Sequence, residues 1–154
     1  MATVTSKVDA FMTAVADGLA LRAGLDGVQV TSGWVSDPQR ESIQLVDAEM
    51  TQTWGAIGNT RREEEFTVTA VVWVVVPGKG EAVIRECRGR AFELLAEVED
   101  YLRVAVRGNG DPVLREIVRA FELEGAVLEQ GANQEGRWCQ LTFRVHANKD
   151  LRSS

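Results

Sequence analysis

Two stretches of the chain repeat apolar residues every three to four positions, which is typical of amphipathic helices. The first apolar stripe comprises Val4, Val8, Phe11, Met12, Val15 and Leu19 and ends near RAGLDG. The second predicts a helix from about Glu81 to Val106 that RGNGDP terminates, with Ile84, Cys87, Ala91, Leu94, Val98 and Leu102 as its buried stripe. On the outer face of the second helix, Glu81, Glu86 and Glu99 each precede an arginine by four positions, a spacing that favours ion pairs.

Between the two helical stretches the pattern predicts strands. GVQVTSGW is typical of a short strand, and SDPQRES carries a turn signal before an extended segment from about Ser42 to Ile57. Within that segment the apolar positions change phase, which predicts either a β-bulge or a strand that leaves the core. Ile43 and Leu45 lie on one face, whereas Val46, Ala48, Met50 and Trp54 lie on the other.

A long hairpin is the simplest explanation of the next stretch. Gly58 and Asn59 suit a hairpin turn, and an extended Glu63–Val76 would span about 45 Å. The end of this strand nearest PGKG is apolar on both faces, so we expect other parts of the protein to pack against each face. The opposite end, RREEE, is charged and is expected to reach into solvent or toward another copy of the protein.

The chain closes with a second predicted hairpin, roughly Ile117 to Glu129 and Arg137 to Asn148, separated by the polar QGANQEG. The last strand alternates between a core face and a polar face; the core residues are Cys139, Leu141, Phe143, Val145 and Ala147. The succession predicts an α+β fold: a mainly antiparallel sheet of about five strands, with two helices packed on one face and long β-hairpins.

Composition narrows the class of protein. With 154 residues and 45% hydrophobic content, the chain is expected to form a single domain, 1–154. A formal charge of -6 argues against a protein that wraps nucleic acid. The N-terminus lacks the pattern of a signal peptide and no apolar run is long enough to span a bilayer, so we expect a soluble, intracellular protein without a membrane partner.

Residues that could support chemistry are few. The single His146 is expected to be an ordinary surface histidine, and Cys87 and Cys139 to be packed rather than reactive. Consecutive carboxylates at Glu63–Glu65 point to alternating faces of a strand and do not converge on one ion, and GKGE is too short for a phosphate-binding loop. We therefore predict no enzyme activity, no catalytic residue, no cofactor and no metal. Trp34, Trp54 and Trp138 are expected either to anchor protein contacts or to cover the second face of the sheet.

The order of several segments resembles the tail terminator proteins of long-tailed, siphovirus-type bacteriophages, and especially those of actinobacteriophages. The resemblance covers nearly the whole chain and rests on GVQVTSGWVSDPQRESIQLVDAEMTQTW, GNTRREEEFTVTAVVWVVVPG, RAFELLAEVEDYLR and EQGANQEGRWCQLTFRVHANKDL. It implies a virion protein of the tail neck, assembled in the host cytoplasm, that closes into a homohexameric ring. Such a ring caps the tail tube, stops its polymerisation and presents a surface to the head-side connector.

The resemblance also suggests partners and contact residues. Genomic DNA would pass through the lumen without sequence-specific binding, and an acidic lumen would repel it. The predicted subunit or partner interface comprises Trp54, Arg61, Arg62, Glu63, Glu64, Glu65 and Trp73. The arginines of one subunit would meet carboxylates of the next, and apolar contacts around the tryptophans would supply most of the affinity.

Three alternatives stay open. Another neck protein, such as a head–tail joining or tail completion subunit, has a similar size and topology. A homologue within a domesticated phage-like particle would keep the mechanism and change only its setting. A carboxylate-based hydrolase would need two acids that converge in a cleft, which no spacing in this sequence enforces.

Overall fold

The computed structural model describes the backbone over residues 6–54, 61–106 and 120–152, and the side chains over residues 6–53, 63–104 and 122–149. Its elements are α1 (Val8–Ala20), a 3₁₀ turn (Ala23–Leu25), β1 (Gln29–Thr31), β2 (Glu41–Trp54), β3 (Arg61–Val76), α2 (Glu81–Val106), β4 (Ala120–Asn133) and β5 (Gly136–Arg152). Two helices and a five-stranded, mostly antiparallel sheet confirm the predicted α+β fold.

The strands form one sheet in the order β1-β2-β3-β5-β4. The short β1 runs parallel to β2 and pairs only with residues 42–44, whereas all other neighbours are antiparallel. β3 is therefore the central strand, paired along its length with β2 on one side and β5 on the other. The two long hairpins predicted from sequence are β2–β3 and β4–β5.

Both helices pack on one face of the sheet, here called the helix face, and the opposite face is called the open face. Alternate side chains of β3, Phe66, Val68, Ala70, Val72 and Val74, point to the helix face and are buried, as are the predicted core residues of β5. The predicted stripe of α2 is also buried apart from the half-buried Ile84, and it extends to Leu95 and Tyr101. One hydrophobic core thus lies between the helices and the sheet.

A β-bulge in β2 explains the change of phase seen in the sequence. The pairing with β3 shifts between Leu45 and Asp47, so that Val46 is the extra residue. After the bulge, Ala48 pairs with Val68 and lies on the helix face. Of the two explanations that the sequence left open, the structure shows the bulge. Ala48 and Met50 are nevertheless solvent-exposed, Met50 at 51%.

Several predicted boundaries differ from those in the structure. Val4, the hairpin turn at Gly58 and Asn59, the segment RGNGDP, and the start of the fourth strand at Ile117 lie outside the described residues. The expected QGANQEG loop is wrong in extent, because β4 continues to Asn133 and β5 begins at Gly136. Backbone pairing with β5 holds these polar residues in the sheet, against their local preference for a turn.

The outer face of α2 carries two of the three expected ion pairs. Arg85 contacts Glu81 at 3.0 Å, and Arg103 lies 3.9 Å from Glu99. Arg90 was expected to pair with Glu86, but it contacts Glu41 at the start of β2 and Glu93 on its own helix. The Arg90–Glu41 contact links α2 to the sheet.

Candidate assembly surfaces

The charged run Arg61–Glu65 lies at one end of β3, in the middle of the sheet. Its backbone is flanked by β2 on one side, where Arg62 pairs with Trp54, and by β5 on the other, where Arg61 pairs with Arg152. A subunit approaching from the side would meet an edge strand before it reached this run. The side chains of Trp54, Arg61 and Arg62 lie outside the described residues, so their predicted interface role stays a prediction.

Glu64 does not project into solvent as the interface prediction assumed. Its relative exposure is 0%, because it shares the helix face with Phe66 and lies under the start of α1. One carboxylate oxygen accepts a hydrogen bond from the backbone N–H of Lys7 at 2.8 Å, and the other accepts one from the Gln52 amide at 3.0 Å. Glu64 thus joins α1, β2 and β3 within one subunit and is not available to a neighbour.

We expect Glu64→Ala to lower the free energy of unfolding by about 1–3 kcal/mol, since the partly buried Lys7 N–H and the Gln52 amide would lose this acceptor. Glu64→Gln should retain more stability because an amide oxygen can still accept a hydrogen bond. The exposed Glu65→Ala is the matched control and should change stability by less than about 0.5 kcal/mol. Urea titration followed by circular dichroism measures all three. Equal losses at Glu64 and Glu65 would contradict this role for Glu64.

The open face is acidic over the half that includes the charged run. Strand alternation and register place there the carboxylates of Asp47, Glu49, Glu63, Glu65, Glu122 and Glu124, whereas Glu129 lies in the other half, in the cross-strand row of Trp73. Among the described strand side chains, the basic residues on this face are Arg144 and His146. Most of the carboxylates are solvent-exposed. This half of the open face therefore presents a negative surface.

The other half of the open face is aromatic and partly covered within the subunit. Trp73 stacks on Trp138 of the adjacent strand, with ring centroids 5.3 Å apart. The Trp138 ring lies against Gly131 of β4, where a Cβ atom would come within 2.6 Å of it. Trp73 also lines a cavity of about 320 Å³ together with Pro38 from the segment between β1 and β2. For Trp138 the structure matches the alternative in which the tryptophan covers the sheet, and Trp73, a predicted interface residue, is half-buried in the same stack.

A second element covers the aromatic half of the open face. The segment between β1 and β2 also reaches it, because the Val35 N–H donates to the side chain of Gln44. Val71 and Val75, which point to the open face, are buried. Trp34 in the same segment is 67% exposed and remains free to contact a partner.

His146 lies on the open face beside Arg144, as predicted. Its Nδ1 is 3.1 Å from the Thr67 hydroxyl and 4.0 Å from a Glu124 carboxylate oxygen. Both partners meet the same ring nitrogen, whereas a catalytic triad needs the hydroxyl and the carboxylate on opposite nitrogens. No described cysteine shares the face with His146, since Cys87 and Cys139 are buried on the helix side. This arrangement suits a surface hydrogen bond better than the activation of a nucleophile.

Both cysteines are buried in the core near the end of β3. Burial raises the pKa of Cys139 to about 11, and desolvation also raises the pKa of Cys87. The Cys87 thiol lies 3.3 Å from the carbonyl oxygen of Val74 and 3.4 Å from that of Arg137. A thiol with a raised pKa is a poor nucleophile and metal ligand, so packing is the better explanation of both residues.

Within the described part of the chain, no group of three or more histidine, cysteine, aspartate or glutamate side chains is placed to hold a metal ion. None of the described helices combines the length and apolar character that crossing a membrane requires.

Comparison with known proteins adds one finding. No protein-family model matches this sequence, and no curated protein is similar to it by sequence. Its fold is similar to that of a chain in a solved structure described as the virion of the native gene transfer agent (GTA) particle. The TM-score is 0.56 at 17% identity, and the match covers 90% of this chain and 94% of the other. At this identity the likeness establishes a shared fold across almost the full length of both chains.

Proposed function

We propose that this chain is a structural virion protein that forms a ring on the end of a phage-type tail tube, ends tube polymerisation and provides the interface for head attachment. The observation that carries the proposal is the near-complete overlap of its fold with a chain of a virion particle. The sequence resemblance to tail terminator proteins supports the more specific role. In this proposal the protein makes and breaks no covalent bond and needs no cofactor.

The charge distribution supports an orientation for the subunit in such a ring. The helices cover one face of the sheet, which leaves the open face with its seven carboxylates as the surface available to line a bore. DNA passing through would be repelled by this surface rather than held by it. In this proposal, carboxylates of β2, β3 and β4 form the acidic lumen.

The predicted contact residues divide into groups under this proposal. Glu63 and Glu65 belong to the acidic wall of the bore, and Glu64 stabilises the subunit from within. Trp73 contributes to the aromatic half of the open face, where it stacks on Trp138. Trp54, Arg61 and Arg62 remain proposed contacts with a neighbouring subunit, the tube or the connector.

Mixing the purified protein with polymerising tail tube protein of the same particle tests the proposal. We expect shorter tubes by electron microscopy, with a ring at one end. We also expect the 16.9 kDa chain to be a free subunit in solution and a homohexamer on tubes, as measured by mass. A tail completion or head–tail joining protein would leave tube length unchanged and bind the connector instead. Failure to bind either the tube or the connector would refute a neck function.

A further inference from the structure

The sheet has two long edges that no described strand covers. Because β1 pairs only with residues 42–44, no described strand pairs with Asp47–Thr51 of β2 on the side away from β3. At the other side of the sheet, none of the described strands pairs with β4 (Ala120–Asn133) on the side away from β5. Unpaired backbone N–H and C=O groups along an edge can pair with a strand of another chain.

The directions of these two edges fit a second copy of this chain. β2 is antiparallel to β3, β3 to β5, and β5 to β4, so β2 and β4 run in opposite directions. A copy placed beside the first would therefore bring β4 against β2 as an antiparallel pair. Such a contact joins two different surfaces and can close into a ring.

Both edges carry negative side chains, which would repel each other in this arrangement. Asp47 and Glu49 are exposed on β2, and Glu122, Glu124 and Glu129 lie along β4. All five carboxylates are on the open face, and the register places Asp47 in the same cross-strand row as Glu124, and Glu49 in the row of Glu122. Paired strands are about 4.8 Å apart, and like charges directly opposite each other destabilise the pair.

We propose that the open edges of β2 and β4 are the surfaces through which copies of this chain associate, and that their matching negative charge keeps free subunits apart. A template that aligns the copies would supply the energy that overcomes this repulsion. The inference rests on the proposed ring for the identity of the partner, but its test requires no tail tube.

Reversing the charge of one edge should promote association. Asp47→Lys with Glu49→Lys makes β2 complementary to the glutamates of β4, and we expect the association constant to rise about tenfold or more at low salt. Sedimentation velocity measures it. The matched control is Glu86→Lys with Asp100→Lys, which makes the same change in net charge at exposed positions of α2. The control should stay close to the unaltered protein.

Two further measurements separate edge pairing from a general effect of charge. Glu122→Lys with Glu124→Lys should also promote association, whereas combining all four substitutions makes both edges basic and should restore the free subunit. Added salt should strengthen association of the unaltered protein and weaken that of either two-residue variant, because screening reduces both repulsion and attraction.

The outcomes separate this inference from the proposed function. If the edge variants remain as dissociated as the α2 control, or if the four-residue variant associates as strongly as the two-residue variants, edge pairing is refuted even if the protein caps tubes. If the variants associate as expected but the unaltered protein binds neither the tube nor the connector, the edge contact is supported and the neck function is wrong.

Discussion

Phe66→Ala is expected to lower the free energy of unfolding by about 3–5 kcal/mol, which corresponds to a fall in Tm of roughly 10 °C. Phe66 is 1% exposed at the centre of the sheet, and its ring meets Phe11 of α1 edge-to-face with centroids 5.1 Å apart. Alanine would leave a cavity between β3 and α1 that the surrounding strands can fill only in part. Thermal unfolding followed by circular dichroism measures the loss.

Phe92 on α2 provides the matched control, because it is 46% exposed. Phe92→Ala removes the same atoms from a surface site and should cost less than about 1 kcal/mol. Similar losses for the two variants would mean that α1 does not pack on β3 as described. A Phe66→Ala protein that keeps its stability would contradict the assignment of one core beneath both helices.

The periodic parts of the sequence predict their structure well. α2 runs from Glu81 to Val106 as expected, since an apolar stripe over seven turns and a glycine-rich segment after it leave little freedom in the assignment. The change of phase in β2 was visible in the sequence, but the register was needed to choose a bulge over a strand that leaves the core. Local pattern was therefore sufficient for α2 but not for the bulge.

For Glu64, the position in the strand indicates the location of the side chain better than its charge does. It is two residues before Phe66 and four before Val68, so strand alternation alone puts it on the helix face. What the sequence could not indicate is that the Lys7 N–H and the Gln52 amide would meet it there. These partners come from segments that only the tertiary fold brings together.

The sheet order was equally hidden from the sequence. Each hairpin could be recognised locally, but nothing in the pattern places β5 rather than β4 next to β3. That choice puts Arg61–Glu65 in the interior of the sheet and leaves β2 and β4 as the edges. The assembly surface that the sequence suggested, the end of β3, therefore differs from the one that the topology favours.

Gly136→Ala should be the most damaging single change in a turn, with an expected loss of about 2–4 kcal/mol. Gly136 begins β5 with φ +140, a conformation that other residues rarely adopt. An added Cβ would also lie 2.2 Å from the carbonyl oxygen of Val76, so the backbone at the end of β3 would have to move. The strain therefore affects both β5 and the central strand.

Gly89→Ala is the control for this substitution and should have the opposite sign. Gly89 lies on the exposed face of α2 with no atom within 4 Å of an added Cβ, so alanine should stabilise the helix by about 1 kcal/mol. Urea unfolding of both variants checks the difference in sign. A neutral Gly136→Ala would mean that β5 starts with a different backbone. Because Trp138 lies two residues after Gly136, its stacking on Trp73 would then also differ from the geometry described above.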